Sequence, residues 1–186
     1  MVGLLLISSP IWAQSAFGIS RGQSISTLKI VKKFDSSLYS VIPPAPNFEF
    51  ESYTVLATPA TGVCKISGIG KDHDDDAYGG ASQSAFERLE SALEEKYGNH
   101  KHYDFIRNGA LWDEPREWVM AIKQNERFFA SFWDAEESSN LPSGLNSISL
   151  ELLATSSSSS YIKLTYEFSN FDQCKANFSK TDNNSL

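Results

Sequence analysis

The stretch that decides the fold is the C-terminal pair Ser147-Ile-Ser-Leu-Glu-Leu-Leu-Ala154 and Tyr161-Ile-Lys-Leu-Thr-Tyr-Glu-Phe168. Every second position is apolar in both segments, which is typical of strands that bury one face. The five serines between them predict a flexible hairpin loop. The two segments therefore predict an antiparallel β-hairpin at the end of the domain.

A second hairpin is predicted earlier in the chain. Residues 48–57 are rich in Phe, Tyr, Thr and Val and are predicted to form a strand. Residues 58–62 contain Pro and Gly and form the turn, and residues 63–70 form the second strand of the hairpin. Single strands are predicted at 38–42, 103–106 and 126–134, where apolar, β-favouring and aromatic residues occur together.

Three helices are predicted between these strands. The clearest begins at a capping box formed by Ser84 and Glu87 and ends before Gly98. Its inward stripe has helical spacing and consists of Phe86, Leu89, Leu93 and Tyr97. Pro115 suits the first turn of a second helix. Apolar spacing predicts a third helix over residues 21–34.

Hairpins dominate this order and helices do not alternate strictly with strands, so the sequence predicts an α+β fold. We expect a mainly antiparallel sheet of hairpins with two to three helices packed on one face. In this interpretation residues 1–13 are a signal peptide, residues 17–178 form a single α+β domain and residues 179–186 are a disordered tail.

Composition excludes several classes of protein. The 186 residues carry a formal net charge of −7, with 23 acidic against 16 basic side chains, which argues against nucleic-acid binding. No apolar run reaches the roughly 18 residues of a membrane-spanning helix. Phosphate-cradling, dinucleotide and serine-nucleophile motifs are absent from the sequence, so no cofactor is expected.

The N-terminus indicates export. Val2 to Ile7 form a short apolar run that Pro10 interrupts, and small residues follow at Ala13 and Ala16. This pattern is typical of the end of a secretory signal peptide, with cleavage after Ala13. The alternative is a buried N-terminal strand. A signal peptide predicts a periplasmic or secreted bacterial protein.

The two cysteines, Cys64 and Cys174, agree with export. In an oxidising compartment they form one disulfide. Two buried free thiols are the alternative interpretation.

An acidic run offers a candidate metal site. Asp72, Asp74 and Asp76 have the spacing of the first three ligands of a calcium loop, but Ala77 and Gln83 stand where Gly and Glu are needed. The alternative is a solvated loop before a helix, whose dipole favours carboxylates at its N-terminus. His100 and His102 form an H-x-H pair that is a candidate metal site or an exposed turn.

Aromatic side chains crowd the segment from Trp112 to Trp133. Most are expected in the core, but exposed members would form a binding groove, because Trp, Tyr and Arg anchor interfaces. The candidate binding residues are Trp112, Asp113, Trp118, Arg127 and Trp133.

Four segments carry a resemblance: Phe17-Gly18-Ile19-x-x-Gly22, Tyr97-Gly98, Leu111-Trp112-Asp113-Glu114 and Tyr166-Glu167-Phe168-Ser169-Asn170-Phe171. In these the chain resembles a family of uncharacterised signal-peptide-bearing bacterial proteins, which implies export but no known activity and no site residues. The first segment is also similar to small periplasmic modules, such as outer-membrane assembly lipoproteins and β-lactamase-inhibitor proteins. That similarity favours protein binding.

The leading hypothesis is an exported, non-enzymatic protein that binds another protein or an envelope component. Inhibitor or immunity roles fit, because an acidic surface can oppose a basic cleft. One alternative is an exported hydrolase whose acid–base pair comes from residues such as Asp113, Glu114 and His102. The other is a divalent-cation-binding protein that uses Asp74 and Asp76.

Overall fold

The computed structural model describes residues 15–135 and 140–183. The predicted signal peptide at residues 1–13 lies outside the described residues. No helix within the described ranges is long and apolar enough to cross a membrane.

The described ranges contain ten strands and three α-helices, joined by turns and two short 3₁₀ segments at Ile25–Thr27 and Pro115–Glu117. The strands are β1 (Ser15–Ala16), β2 (Ile19–Ser20), β3 (Lys29–Lys33), β4 (Leu38–Ile42), β5 (Phe50–Thr58), β6 (Gly62–Gly70), β7 (Lys101–Ile106), β8 (Arg127–Asp134), β9 (Leu145–Ala154) and β10 (Ser160–Phe168). The helices are α1 (Gly80–Tyr97), α2 (Trp118–Lys123) and α3 (Phe171–Asn183).

Eight strands form one sheet in the order β3-β4-β5-β6-β10-β9-β8-β7, while β1 and β2 pair separately. Every neighbouring pair in the large sheet is antiparallel. The two predicted hairpins lie side by side at its centre, because β6 pairs with β10. The predicted α+β fold with a mainly antiparallel sheet is confirmed.

Helices α1 and α2 cover one face of this sheet. Phe86 of α1 packs edge-on against Phe129 of β8 with 4.8 Å between ring centroids, and Tyr97 lies 6.2 Å from Tyr166 of β10. The ring of Trp118 at the start of α2 lies 5.4 Å from Phe129. Alternate residues of β8, β9 and β10 complete this core, including Trp133, Ile148, Leu150 and Leu164.

The predicted helix over residues 21–34 is wrong. The structure has a 3₁₀ turn at Ile25–Thr27 and then β3, which pairs with β4. The pair Ile30-Val31 is β-branched, and both residues are exposed on an edge strand. The spacing of Val31 from Ile25 and Leu28 matched a helical stripe by coincidence, since only Leu28 is buried.

The C-terminal segment is a helix, α3, that the sequence did not predict. The expected disordered tail at 179–186 overlaps it as far as Asn183, and the last three residues lie outside the described ranges. The helix packs against β5 and β6. Cys174 on α3 forms a disulfide with Cys64 on β6, which confirms the predicted bridge.

The serine-rich hairpin loop is tied to the rest of the domain. The backbone N–H of Asp76 donates to the carbonyl of Ser158 at 2.9 Å, and His73 and Ser160 form a β-bridge. The acidic segment before α1 is therefore fixed against the tip of the β9–β10 hairpin.

Candidate functional site

The surface that stands out lies on the sheet face opposite α1 and α2, at β7 and β8. Side chains alternate along strands, so Phe129, Ser131 and Trp133 point toward the helices while Phe128 and Phe132 point away. On β7 the same alternation sends Tyr103 and Phe105 to the uncovered side. We call the set Tyr103, Phe105, Phe128 and Phe132 the aromatic face.

The four rings of the aromatic face contact one another. Phe128 and Phe132 stack with 6.2 Å between centroids, Phe105 lies 5.5 Å from Phe128, and Tyr103 lies 5.8 Å from Phe132. Three of them are well exposed, with fractions of 40% for Tyr103, 48% for Phe105 and 36% for Phe128. Rings that hold one another in place lose little freedom on binding, so the surface is preorganised.

The aromatic face lines an open groove of about 440 Å³. Lys101 and Asp134 complete the lining, which places a positive and a negative side chain beside the rings. Apolar rings with a few charged groups at the margin are the usual composition of a binding surface.

The candidate binding residue Trp133 lies in the core and not in the groove. Its side chain is fully buried, its indole N–H donates to the carbonyl of Gly98 at 2.9 Å, and its ring lies 4.6 Å from that of His100. The strand alternation that exposes Phe132 is what buries Trp133.

Trp118 and Arg127 are brought together, on the helix side of the sheet. The guanidinium of Arg127 lies 5.6 Å from the Trp118 ring and forms an ion pair with Asp104. Gly79 makes room for the indole, since a Cβ there would lie 2.3 Å from Cε3 of Trp118. These contacts dock α2 on the start of β8.

Trp112 and Asp113 lie in the loop between β7 and α2. The backbone N–H of Trp112 donates to Oε2 of Glu126 at 2.9 Å, and the Trp112 ring is half-buried. Asp113 is exposed. The structure therefore separates the five candidate binding residues into a core residue, a helix-docking pair and a loop pair.

The acidic run has a structural role at Asp76. Its carboxylate accepts hydrogen bonds from the backbone N–H groups of Gly80 at 2.9 Å and Ala81 at 2.8 Å, at the start of α1. Asp72 and Asp74 are exposed. Within the described ranges, no group of three His, Cys, Asp or Glu side chains is placed to hold a metal ion. The acidic run therefore agrees with the alternative interpretation, a solvated loop whose last carboxylate caps α1.

The two histidines meet at a single carboxylate. Oε1 of Glu90, on α1, lies 3.0 Å from Nε2 of His100 and 2.8 Å from Nδ1 of His102, and it accepts a hydrogen bond from the Ser131 hydroxyl. Burial raises the pKa of Glu90, but the hydrogen bonds from Ser131 and His102 and the charges of both histidines outweigh it, so the pKa lies below its usual value.

This cluster does not have the geometry of a Ser-His-acid catalytic triad. In a catalytic triad the serine and the acid contact different nitrogens of the imidazole. Here Ser131 and Glu90 both contact Nδ1 of His102, and Ser131 is fully buried. Of the two acids named for the hydrolase alternative, Asp113 is exposed, and Glu114 pairs with Arg116 at 2.9 Å and caps the turn at Pro115.

Sequence reasoning found the aromatic segment but missed the residues that form the surface. The predicted binding residues include three tryptophans, whereas the surface consists of Tyr103, Phe105, Phe128 and Phe132. The signal was present, because a strand at 126–134 implies that Phe128 and Phe132 share one face and Trp133 points to the other.

Comparisons of the chain with models of protein families, with curated proteins and with solved structures give no match.

Proposed function

We propose that this is an exported, non-enzymatic protein that binds a partner protein through the aromatic face. The observation that carries the proposal is the cluster of four contacting aromatic rings, three of them well exposed, on a part of the sheet that α1 and α2 leave uncovered. Contiguous exposed apolar surface of this kind marks interaction sites in folded proteins.

The energetics favour a protein partner. A partner that covers these rings removes their exposed apolar surface from water. Each ring that is about two-fifths exposed then contributes about 1 kcal/mol to the free energy of binding. Four preorganised rings supply a binding core, and aromatic residues are the commonest anchors of such cores. Lys101 and Asp134 lie at the margin of the rings, which gives the surface the polar rim that is usual at protein interfaces.

Two observations support the export part of the proposal. The N-terminal sequence has the pattern of a signal peptide that ends at Ala13. The Cys64–Cys174 disulfide suits an oxidising compartment, where such bonds persist. Mass spectrometry of the protein from cells is expected to find Gln14 as the mature N-terminus in the periplasm or medium.

Site-specific photo-cross-linking in the source bacterium tests the binding function. A photoreactive phenylalanine analogue replaces Phe105 on the aromatic face, and the matched control replaces Phe34, which is 50% exposed beside the opposite edge of the sheet. We expect one protein other than the chain itself to be cross-linked from position 105 and not from position 34.

The cross-linked protein is then purified and its affinity for the intact chain is measured. We expect Phe128→Ser to weaken this binding by about tenfold or more, which corresponds to 1.4 kcal/mol, while the far-ultraviolet spectrum and unfolding midpoint stay close to those of the wild type. Equal cross-linking from both positions, or binding that Phe128→Ser leaves unchanged, would contradict the proposal.

A further inference from the structure

The two edges of the large sheet differ. The outer strand at one end, β3, carries Lys29, Lys32 and Lys33, and its pairing with β4 shifts register between Ile30 and Lys32. Charged side chains, lysine above all, and bulges are how proteins block strand addition at an edge. The outer strand at the other end, β7, pairs with β8 without any shift, and all its residues except half-buried Ile106 are exposed.

The backbone of β7 is oriented to accept another strand. The N–H of Arg107 donates to the carbonyl of Glu126 at 2.7 Å, so Arg107 faces β8. Backbone groups alternate in direction along a strand. Those of His102, Asp104 and Ile106 therefore point away from β8, toward the side on which the sheet ends.

We propose that two copies of this chain pair through β7, antiparallel, about a two-fold axis perpendicular to the sheet at Tyr103. This inference goes beyond the proposed function, since it concerns the strand edge and needs no partner protein. In this register His102 lies opposite Asp104 of the second copy, and Asp104 lies opposite its His102. The backbone groups of each pair, which point away from β8, form hydrogen bonds, and the imidazole of one chain lies beside the carboxylate of the other.

The other face of the joined strands is equally self-complementary. Tyr103 lies opposite Tyr103 of the second copy, and Lys101 lies opposite Phe105, an arrangement that allows a cation–π contact. Cross-strand aromatic pairs are among the favourable neighbours in antiparallel sheets. Because the axis is perpendicular to the sheet, both aromatic faces lie on the same side and form one continuous surface.

Pairing through β7 closes the assembly at two copies. The joined sheet has only β3 strands at its ends, and these are the edges that carry the lysines and the register shift. A third copy therefore has no open edge to join. We expect a dimer and no larger species.

Sedimentation equilibrium of the mature chain, from low-micromolar to near-millimolar concentration, measures the assembly. We expect a concentration-dependent mass that levels off at twice the monomer. Asp104→Pro removes an N–H that points away from β8, so it leaves the monomer's own pairing intact and is expected to weaken the dimer by about tenfold or more. Asp104→Asn is the matched control, since it keeps the N–H and loses the same charge.

Cysteine cross-linking tests the register and does not depend on the proline variant folding. Tyr103 faces its copy at a non-hydrogen-bonded position, where Cα atoms lie about 4.5 Å apart, so Tyr103→Cys is expected to form an intermolecular disulfide in air. Residue 101 lies four positions from its copy across the axis, about 13 Å away, so Lys101→Cys is the control that stays monomeric. Peptide mapping checks that the Cys64–Cys174 bridge is kept.

A wild-type chain that stays monomeric at every concentration, together with no cross-link at position 103, would overturn this inference and leave the proposed partner binding untouched. Equal cross-linking at positions 101 and 103 would overturn the register. Masses that keep rising beyond the dimer would overturn the closed assembly.

Discussion

At the scale of single residues, Glu90 stands out because one oxygen joins three elements. It lies on α1, its histidine partner His102 lies on β7, and Ser131 lies on β8. A carboxylate that is only slightly exposed needs such donors to offset the loss of water. The cluster therefore fixes α1 against the edge of the sheet, directly behind the aromatic face.

Glu90→Gln is expected to lower the free energy of unfolding by about 1–2 kcal/mol at neutral pH, since hydrogen bonds to a charged acceptor are lost. The folded pKa of Glu90 is lowered from its usual 4.5. Its charge therefore stabilises the fold above that value, and this contribution is lost as the pH falls through the folded pKa. The difference between variant and wild type should shrink over the same interval.

Urea unfolding from pH 7 down to pH 3 measures this difference. Glu95→Gln, a substitution on an exposed side chain of α1 away from the two histidines, is the control and is expected to change stability by less than about 0.5 kcal/mol. A gap between Glu90→Gln and wild type that stays constant across the range would contradict the assigned role.

Residue-level prediction from the sequence succeeded where one residue acts through its neighbours in the chain and failed where it acts through distant strands. Gly98 was correctly placed as the end of α1. The meeting of Glu90 with His100 and His102 was not foreseen, because nothing local indicates that β7 lies beside α1. Trp133 was selected for its chemistry, although its position in an alternating strand sends it to the core.

At the scale of elements, the start of α1 depends on Asp76. The sequence predicted a capping box at Ser84, whereas the helix begins a turn earlier at Gly80. Asp76 precedes the helix by four residues, and its carboxylate accepts hydrogen bonds from the first N–H groups of the helix. A cap at this distance is set by the turn through Asp75 and Gly79, both of which have positive φ, and local sequence patterns do not reveal it.

Asp76→Ala is expected to destabilise the domain by about 1–2 kcal/mol, because the N–H groups of Gly80 and Ala81 lose their acceptor. Asp74→Ala is the matched control from the same acidic run, and its effect should stay within about 0.5 kcal/mol. Thermal unfolding of both variants gives the comparison. Equal losses, or a rise in the melting temperature of the wild type with millimolar calcium, would instead favour the metal hypothesis.

Hairpins were the elements that the sequence predicted best. The strands β5 with β6 and β9 with β10 each alternate clearly and are joined by short turns, so their pairing is local. The edge strand β3 was mistaken for a helix because neither of its faces is buried. An exposed strand lacks the one-sided pattern on which prediction depends.

At the scale of the whole molecule, the order of the eight strands and the helix α3 could not be derived from the sequence. Pairing of β6 with β10 joins residues about a hundred positions apart, and no local signal encodes it. The disulfide was the exception, since two cysteines allow only one bridge. It connects α3 to the centre of the sheet and thereby orders the end of the chain.

Replacing both cysteines, Cys64→Ala with Cys174→Ala, is expected to lower the free energy of unfolding by about 3–5 kcal/mol. The bridge closes a loop of 110 residues, and a loop of this length restricts the unfolded chain strongly. Urea unfolding with and without a reductant provides the measurement. The reductant should lower the urea midpoint of the wild type toward that of the double variant and leave the midpoint of the variant unchanged. A double variant as stable as the wild type would contradict the expectation.

The same bridge determines what happens when a protease cuts the chain once between the two cysteines. The chain between Cys64 and Cys174 includes exposed surface loops, such as the one around Leu111 and Asp113. A single cut there leaves two fragments that the disulfide still joins, and the antiparallel sheet holds them in register. Such a nicked molecule would migrate as one band until a reductant is added, and it would keep the aromatic face attached to the rest of the domain.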